Sequence, residues 1–339
     1  MKKLYLLLAI ALLTAGVQAN AAKPQSKAKI LPTKSLLLYP EGQSVDKGIV
    51  ENGVAVTLGP GEANGLSGRI ETENNWGGIG NISDSARIEI YLPKKPNGQM
   101  IVCCPGGGYE CVSVINEGAY VADYFTKQGI AVCVVRYRLP NGHWQVPLRD
   151  VQNAFRYCRA HAGEWGISQI GVIGFSAGGH LAASASTLFV DEVTRPDFSI
   201  LIYPVITSDP EFTHQGSIDN LIGSRQKWLD ESLPYAEYQK NKAKYEALAE
   251  HYSLEKQVSE NTPQTLIALS SDDGLVVPEN SIRYFQALLA HKVPAQIYTF
   301  PQGGHGWGFT TNEFGRDGLG SYRKVFFNAV STWLSEIKK

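Results

Sequence analysis

A chain of 339 residues that is 43% hydrophobic and 19% charged has a globular composition and the length for one large domain, with room for a small lid. Its formal net charge of −1 leaves no basic excess, so neither a nucleic acid nor an anionic membrane surface is an expected partner. There is no P-loop, no dinucleotide fingerprint and no Cys-x-x-Cys or His-Glu-x-x-His spacing, so no cofactor and no metal are expected.

The chain starts with Met1-Lys2-Lys3, runs almost wholly apolar from Leu4 to Leu13, and turns to small residues up to Ala21. A basic start, a short apolar core and a small-residue end describe a cleavable signal peptide over 1–21, with the cut after Ala21 favoured over one after Ala19. A membrane anchor needs roughly 20 apolar residues, so no span is expected after cleavage, and the protein is expected to be secreted or periplasmic. Residues 22–35 are polar and proline-spotted, which suggests a flexible leader ahead of one domain over 36–339.

Residues 36–85 are rich in glycine and asparagine and suggest short strands or loops packed on the core. Ala86 to Leu92 alternates with period two, the mark of a strand, here antiparallel and near a sheet edge. Met100 to Cys104 is the next strand and runs straight into Pro105-Gly106-Gly107-Gly108-Tyr109. Glu117 to Gln128 has helical spacing and stops at Gly129; a carboxylate at its start suits the helix dipole. Ile130 to Val135 is a buried strand and Val146 to Ala162 a helix. Ile170 to Ile173 is a strand entering Gly174-Phe175-Ser176-Ala177-Gly178, and a helix of small residues follows. Phe198 to Ile206 and Thr265 to Leu269 are further strands, the latter ending in Asp272-Asp273; Gln296 to Phe300 leads to Gly303-Gly304-His305-Gly306-Trp307. Strands alternating with helices predict an α/β fold, a mainly parallel central sheet with helices on both faces. The polar, helical stretch 211–260 is a candidate cap over the strand ends.

The stretch around Ser176 has the mechanics of a nucleophile elbow, in which a sharp strand-to-helix turn exposes a serine hydroxyl and flanking glycines avoid collisions. A serine needs a base, and the base needs an orienting carboxylate. His305 is the candidate base, and Asp272 or Asp273 the carboxylate. The backbone N–H groups of Gly107 and Gly108, with that of Ala177, are candidate oxyanion donors, each typically worth about 3 kcal/mol of barrier. Tyr109 and Trp307 are candidates to line an apolar or sugar-stacking pocket. His180 reads as a packing or hydrogen-bonding residue, and His214, in the candidate cap, as a solvated residue rather than a substrate contact. Cys103, Cys104, Cys111, Cys133 and Cys158 read as buried thiols, with a Cys104–Cys111 bridge left open.

Over residues 85–335 these segments, together with Tyr137-Arg138-Leu139-Pro140, Arg195-Pro196-Asp197-Phe198 and Pro278-Glu279-Asn280-Ser281, resemble the α/β-hydrolase superfamily. More narrowly, the chain is similar to secreted bacterial carbohydrate esterases of the acetylxylan esterase type, related to bifunctional feruloyl and acetyl esterases. The resemblance implies an α/β-hydrolase fold and a triad of Ser176, Asp273 and His305, the aspartate being counted back from Asn280-Ser281. The chain departs from the family at Pro278, one position later than usual, and carries Pro105 where related lipases have histidine. The implied reaction removes acetyl, or more widely feruloyl, groups from xylan or its oligosaccharides, with a small ester or an acylated saccharide as substrate and no cofactor. The rivals are a general carboxylesterase or peptidase of the same fold and, from another class, a non-catalytic carbohydrate-binding protein.

Overall fold

Continuous runs such as Ile101-Val102-Cys103-Cys104 and Val132-Cys133-Val134-Val135 show no alternation because both faces of a central parallel strand are covered. The computed structural model describes residues 30–39, 49–51, 54–56, 70–75, 77–83, 86–309 and 318–338; the expected signal peptide and most of the leader lie outside them. The central sheet has eight strands: β1 (Lys34–Leu37), β2 (Arg87–Tyr91), β3 (Gln99–Cys104), β4 (Ala131–Arg136), β5 (Gln169–Phe175), β6 (Ser199–Ile202), β7 (Thr265–Ser270) and β8 (Ala295–Phe300). Across the sheet they run β1-β2-β4-β3-β5-β6-β7-β8. β2 runs antiparallel to both its neighbours, β1 and β4, and every neighbouring pair from β4 to β8 is parallel.

The period-two geometry of a strand sends alternate side chains into two cores. Val102, Cys104, Cys133 and Val172 pack with Phe155 of α2 (Gln145–His161), Leu181 of α3 (Ser176–Thr187) and Leu288 of α7 (Glu279–Ala290). Ile101, Cys103, Val132 and Phe175 pack on the other face with Phe125 of α1 (Tyr120–Thr126) and Phe326 and Trp333 of α8 (Tyr322–Glu336). Each fully buried side chain of this size is worth roughly 1.5–3 kcal/mol. All five cysteines are free and buried.

Two boundaries differ most from the sequence reading, and a third region matches it. The edge strand β1 begins at Lys34, inside the expected leader; it pairs on one side only and is mostly exposed, so its composition is that of a surface segment. The helix expected from Glu117 instead opens with a π-helical turn over Ile115–Ala119, and α1 follows it. Residues 211–260 hold α4 (Gln215–Ile222), α5 (Arg225–Trp228) and α6 (Tyr235–His251), inserted between β6 and β7. Their composition is polar because α5 and α6 bury almost nothing, Tyr245 excepted, whereas α4 buries Ile218, Leu221 and Ile222. Ahead of β2, residues 72–73 and 78–80 form a small antiparallel sheet with 111–113, just beyond the glycine loop.

Candidate active site

The strands β3, β5, β7 and β8 all end on one side of the sheet, where ligand crevices of parallel sheets lie. β5 ends at Phe175 in extended backbone, and Ser176 follows at φ 54, left-handed backbone that costs a non-glycine residue roughly 1–2 kcal/mol. The turn is possible because backbone packs where side chains would stand. A Cβ on Gly174 would lie 2.1 Å from the carbonyl oxygen of Gly178, and one on Gly178 would lie 2.2 Å from that of Cys104.

Three loops then meet. The Oγ of Ser176 lies 2.8 Å from Nε2 of His305, and Nδ1 of His305 lies 2.7 Å from Oδ2 of Asp273. The ionised carboxylate can only accept, so Nδ1 carries the proton and Nε2 is left to accept the serine hydroxyl. The other oxygen of Asp273 accepts the N–H groups of Leu275 and Val276, which anchors it in its own loop. Asp272 does not reach the ring. It accepts the backbone N–H groups of Gly303 and Gly304, so it holds the histidine loop while Asp273 holds the imidazole.

The glycine loop is shaped by where its carbonyls go. The Pro105 oxygen accepts Tyr137 O–H, that of Gly106 accepts Ser113 N–H, and that of Gly107 accepts Glu110 and Cys111 N–H. The Gly108 oxygen accepts Nδ2 of Asn220, from α4. Proline has no N–H, and the N–H of Gly106 is taken by Oε2 of Glu117 at 2.7 Å. Among the described residues, the N–H groups of Gly107, Gly108 and Ala177 donate to no protein acceptor. That of Ala177 sits in the first turn of α3, where the helix dipole favours negative charge.

Above Ser176 and His305 lies a cavity of about 300 Å³. Residues 107–117 contribute Gly107, Gly108, Glu110, Ser113, Asn116 and Glu117 to its lining, joined by His214, Leu275 and Gly306. Leu275 supplies the one aliphatic side chain of this lining. His214 is half-buried rather than solvated, with Nδ1 2.8 Å from the Ser217 hydroxyl. Burial and then the nearby His305 hold its pKa below the ordinary histidine range, so it is neutral.

Tyr109 and Trp307, expected to line the pocket, do not, and this is a correction. Tyr109 is 2% exposed, and its own left-handed backbone at φ 58 goes with a hydroxyl 3.0 Å from Nδ1 of His180, away from the cavity. Trp307 is fully buried, its Nε1–H donating to Ser270 Oγ and its ring edge-on to Tyr203. His180 packs and hydrogen-bonds as expected, with Nε2 2.9 Å from the carbonyl of Tyr252. Sequence reasoning missed the contacts of Glu117, Asn220 and His214; only Glu117, a carboxylate shortly after a glycine loop, left a trace, and it was read as a dipole partner.

Residues 101–309 match a family model described as alpha/beta hydrolase fold. The chain is 39% identical over 263 residues to an acetylxylan esterase of Xylanibacter ruminicola, covering 76% of this chain and 50% of that protein. It is 34% identical over 227 residues to endo-1,4-beta-xylanase B of Butyrivibrio fibrisolvens, covering 62% of this chain and 32% of that one. The chain thus spans half the length of the first of these relatives and about a third of the second. Among solved structures, it resembles an acetyl ester-xyloside bifunctional hydrolase from Caldicellulosiruptor lactoaceticus at 26% identity and a TM-score of 0.63, covering 91% of this chain and 98% of that one. The strand order, the strained serine at the end of β5 and the matched family model agree: this chain belongs to the α/β-hydrolase family.

Proposed function

We propose that this protein is a serine esterase that removes acetyl groups, and at the outer limit of its range feruloyl groups, from xylan or its oligosaccharides. The observation that carries the reading is the unbroken hydrogen-bonded series from Ser176 through His305 to Asp273 at the floor of a cavity of about 300 Å³. The hydroxyl, amide, carboxylate and imidazole groups among its lining residues are the few placed polar groups that would orient a polyhydroxylated alcohol. The acetylxylan esterase among the relatives supports the substrate class.

In this reading Ser176 Oγ attacks the ester carbonyl as Nε2 of His305 takes its proton, and Asp273 steadies the imidazolium. The N–H groups of Gly107, Gly108 and Ala177 receive the oxyanion. The tetrahedral adduct collapses, and the departing sugar oxygen takes the proton from His305. Water, giving a proton to the same nitrogen, then attacks the acyl-serine; the acid leaves, and Ser176 regains its hydrogen. We further propose that residues 1–21 direct export and are cut off after Ala21.

Turnover of p-nitrophenyl acetate by the wild type, lowered roughly 10⁴-fold or more in Ser176→Ala, is the expected result. Undiminished turnover in the variant overturns the mechanism. A panel of acetylated xylo-oligosaccharide, a feruloyl ester and a peptide amide ranks the substrates, and preference for the amide would overturn the esterase assignment. An exported protein whose N-terminal sequence starts at Ala22 is the expected readout for the signal.

A further inference from the structure

Glu117 keeps a buried carboxylate beside the candidate nucleophile and spends both of its oxygens on other loops. It is 5% exposed. Oε2 accepts Gly106 N–H at 2.7 Å, and Oε1 accepts the hydroxyl of Tyr203, also at 2.7 Å. A side chain serving the dipole of its own helix would sit over first-turn N–H groups; these partners lie 11 residues back and 86 residues ahead. Gly106 is in turn packed against the elbow: a Cβ there would lie 2.8 Å from Oε2 of Glu117 and 3.0 Å from Cβ of Ser176.

Tyr203 carries the connection to the histidine loop. Its hydroxyl donates to Glu117 and accepts Gly308 N–H at 2.9 Å, and its ring lies 4.7 Å from that of His305, centroid to centroid. The residue beside Glu117 reaches the same loop, Asn116 Nδ2 donating to the Gly306 carbonyl at 3.3 Å. Two costs mark the arrangement. Tyr203 sits at φ 38, and Glu117 stands in a π-helical turn, the form of helix that recurs at functional sites.

We propose that Glu117 is a positioning residue which, through Tyr203, couples the glycine loop that receives the oxyanion to the loop that carries His305. The proposal rests on the serine esterase reading above. With its N–H held by Glu117 and its carbonyl by Ser113, Gly106 is fixed at both ends, which sets the peptide planes of Gly107 and Gly108 that follow it. Misplacing such donors by about 1 Å costs on the order of 100-fold in rate, and the loss falls on the transition state.

The test uses p-nitrophenyl acetate, with kcat counted per nucleophile titrated by a fluorophosphonate, so that unfolded enzyme does not enter. For Glu117→Ala we expect kcat to fall about 100-fold with KM within about twofold, and for Tyr203→Phe about tenfold. Glu117→Gln keeps an oxygen for Gly106 N–H and should recover most of the loss. If the two residues act as one unit, Glu117→Ala with Tyr203→Phe is no slower than Glu117→Ala alone. Unchanged kcat per titrated site in Glu117→Ala, a change confined to KM, or losses that multiply in the double variant would each overturn the proposal. Should Glu117→Ala fail to fold, Tyr203→Phe carries the test: a fall in kcat of about tenfold with KM within about twofold supports the coupling, and unchanged kcat overturns it. Wild-type enzyme without turnover would instead bring down the esterase reading and this coupling with it.

Discussion

Asp272 and Asp273 are neighbours in the chain, yet they grip His305 at different places: Asp273 bonds the ring at Nδ1, and Asp272 bonds the backbone at Gly304 N–H, 2.8 Å away. The turn that follows β7 leaves Asp272 exposed and Asp273 buried, so the two side chains go to different places. Two adjacent carboxylates can therefore serve one histidine without competing for it.

The first prediction follows from that division. Asp273→Asn puts an amide N–H₂ where Nδ1–H must donate, favours the wrong tautomer, and should lower kcat about 10⁴-fold. Asp272→Asn keeps an oxygen for the glycine N–H groups and should stay within about tenfold of wild type. Steady-state kinetics on p-nitrophenyl acetate decides; equal losses would contradict the assignment.

Gly178→Ala tests the elbow. The new Cβ would stand 2.2 Å from the Cys104 carbonyl and 2.3 Å from that of Pro105, both backbone atoms at the end of β3. Neither can rotate away, so the strand or the helix must shift. A stability loss of about 3 kcal/mol or more, read by urea unfolding, is expected, together with loss of activity in whatever remains folded.

His180 makes stability depend on pH. Burial lowers its pKa from 6.5 to about 4, and the neutral ring accepts from Tyr109 and donates to the Tyr252 carbonyl. Above pH 6.5 its contribution is complete. Between 6.5 and 4 the unfolded chain binds a proton that the folded protein refuses, so stability falls as pH falls, by about 3 kcal/mol in all. In His180→Gln that part of the slope should vanish. Parallel unfolding curves for the two proteins across this window would refute it.

His214 faces the cavity from the cap as a neutral imidazole tied to Ser217. A hydrogen bond from it to a sugar hydroxyl would be worth about 1 kcal/mol. His214→Ala should therefore lower kcat/KM on acetylated xylo-oligosaccharide several-fold more than on p-nitrophenyl acetate, which has no such hydroxyl. Equal losses on the two substrates would assign His214 a purely structural part.

The legible parts of the molecule were those in which one short stretch carries its own physics. Gly174 to Gly178 is a strained turn whose glycines are demanded by contacts with β3 and with each other, so the pattern and the geometry coincide. The strands at 99–104, 131–136, 169–175 and 265–270 were legible because double burial leaves polar residues only at their ends. The first half of edge strand β1 was read as leader, since a strand paired on one side can be as polar as a loop. Tyr109 and Trp307 were misread as pocket walls: an aromatic next to a glycine loop faces the core or the cavity according to the backbone angle of the turn, and composition carries no angle.

Taken alone, the order of residues determined the alternating strands and helices, the elbow serine, the histidine after the last strand and the pair of acids before it. Tertiary structure alone decided that Asp272 holds the histidine loop, that Gly106 N–H is spent on Glu117, and that Asn220 of the cap holds Gly108. The reason is reach. A local pattern records what neighbours along the chain require of each other, whereas contacts between residues 11 to 112 positions apart exist only once the fold has brought their loops together.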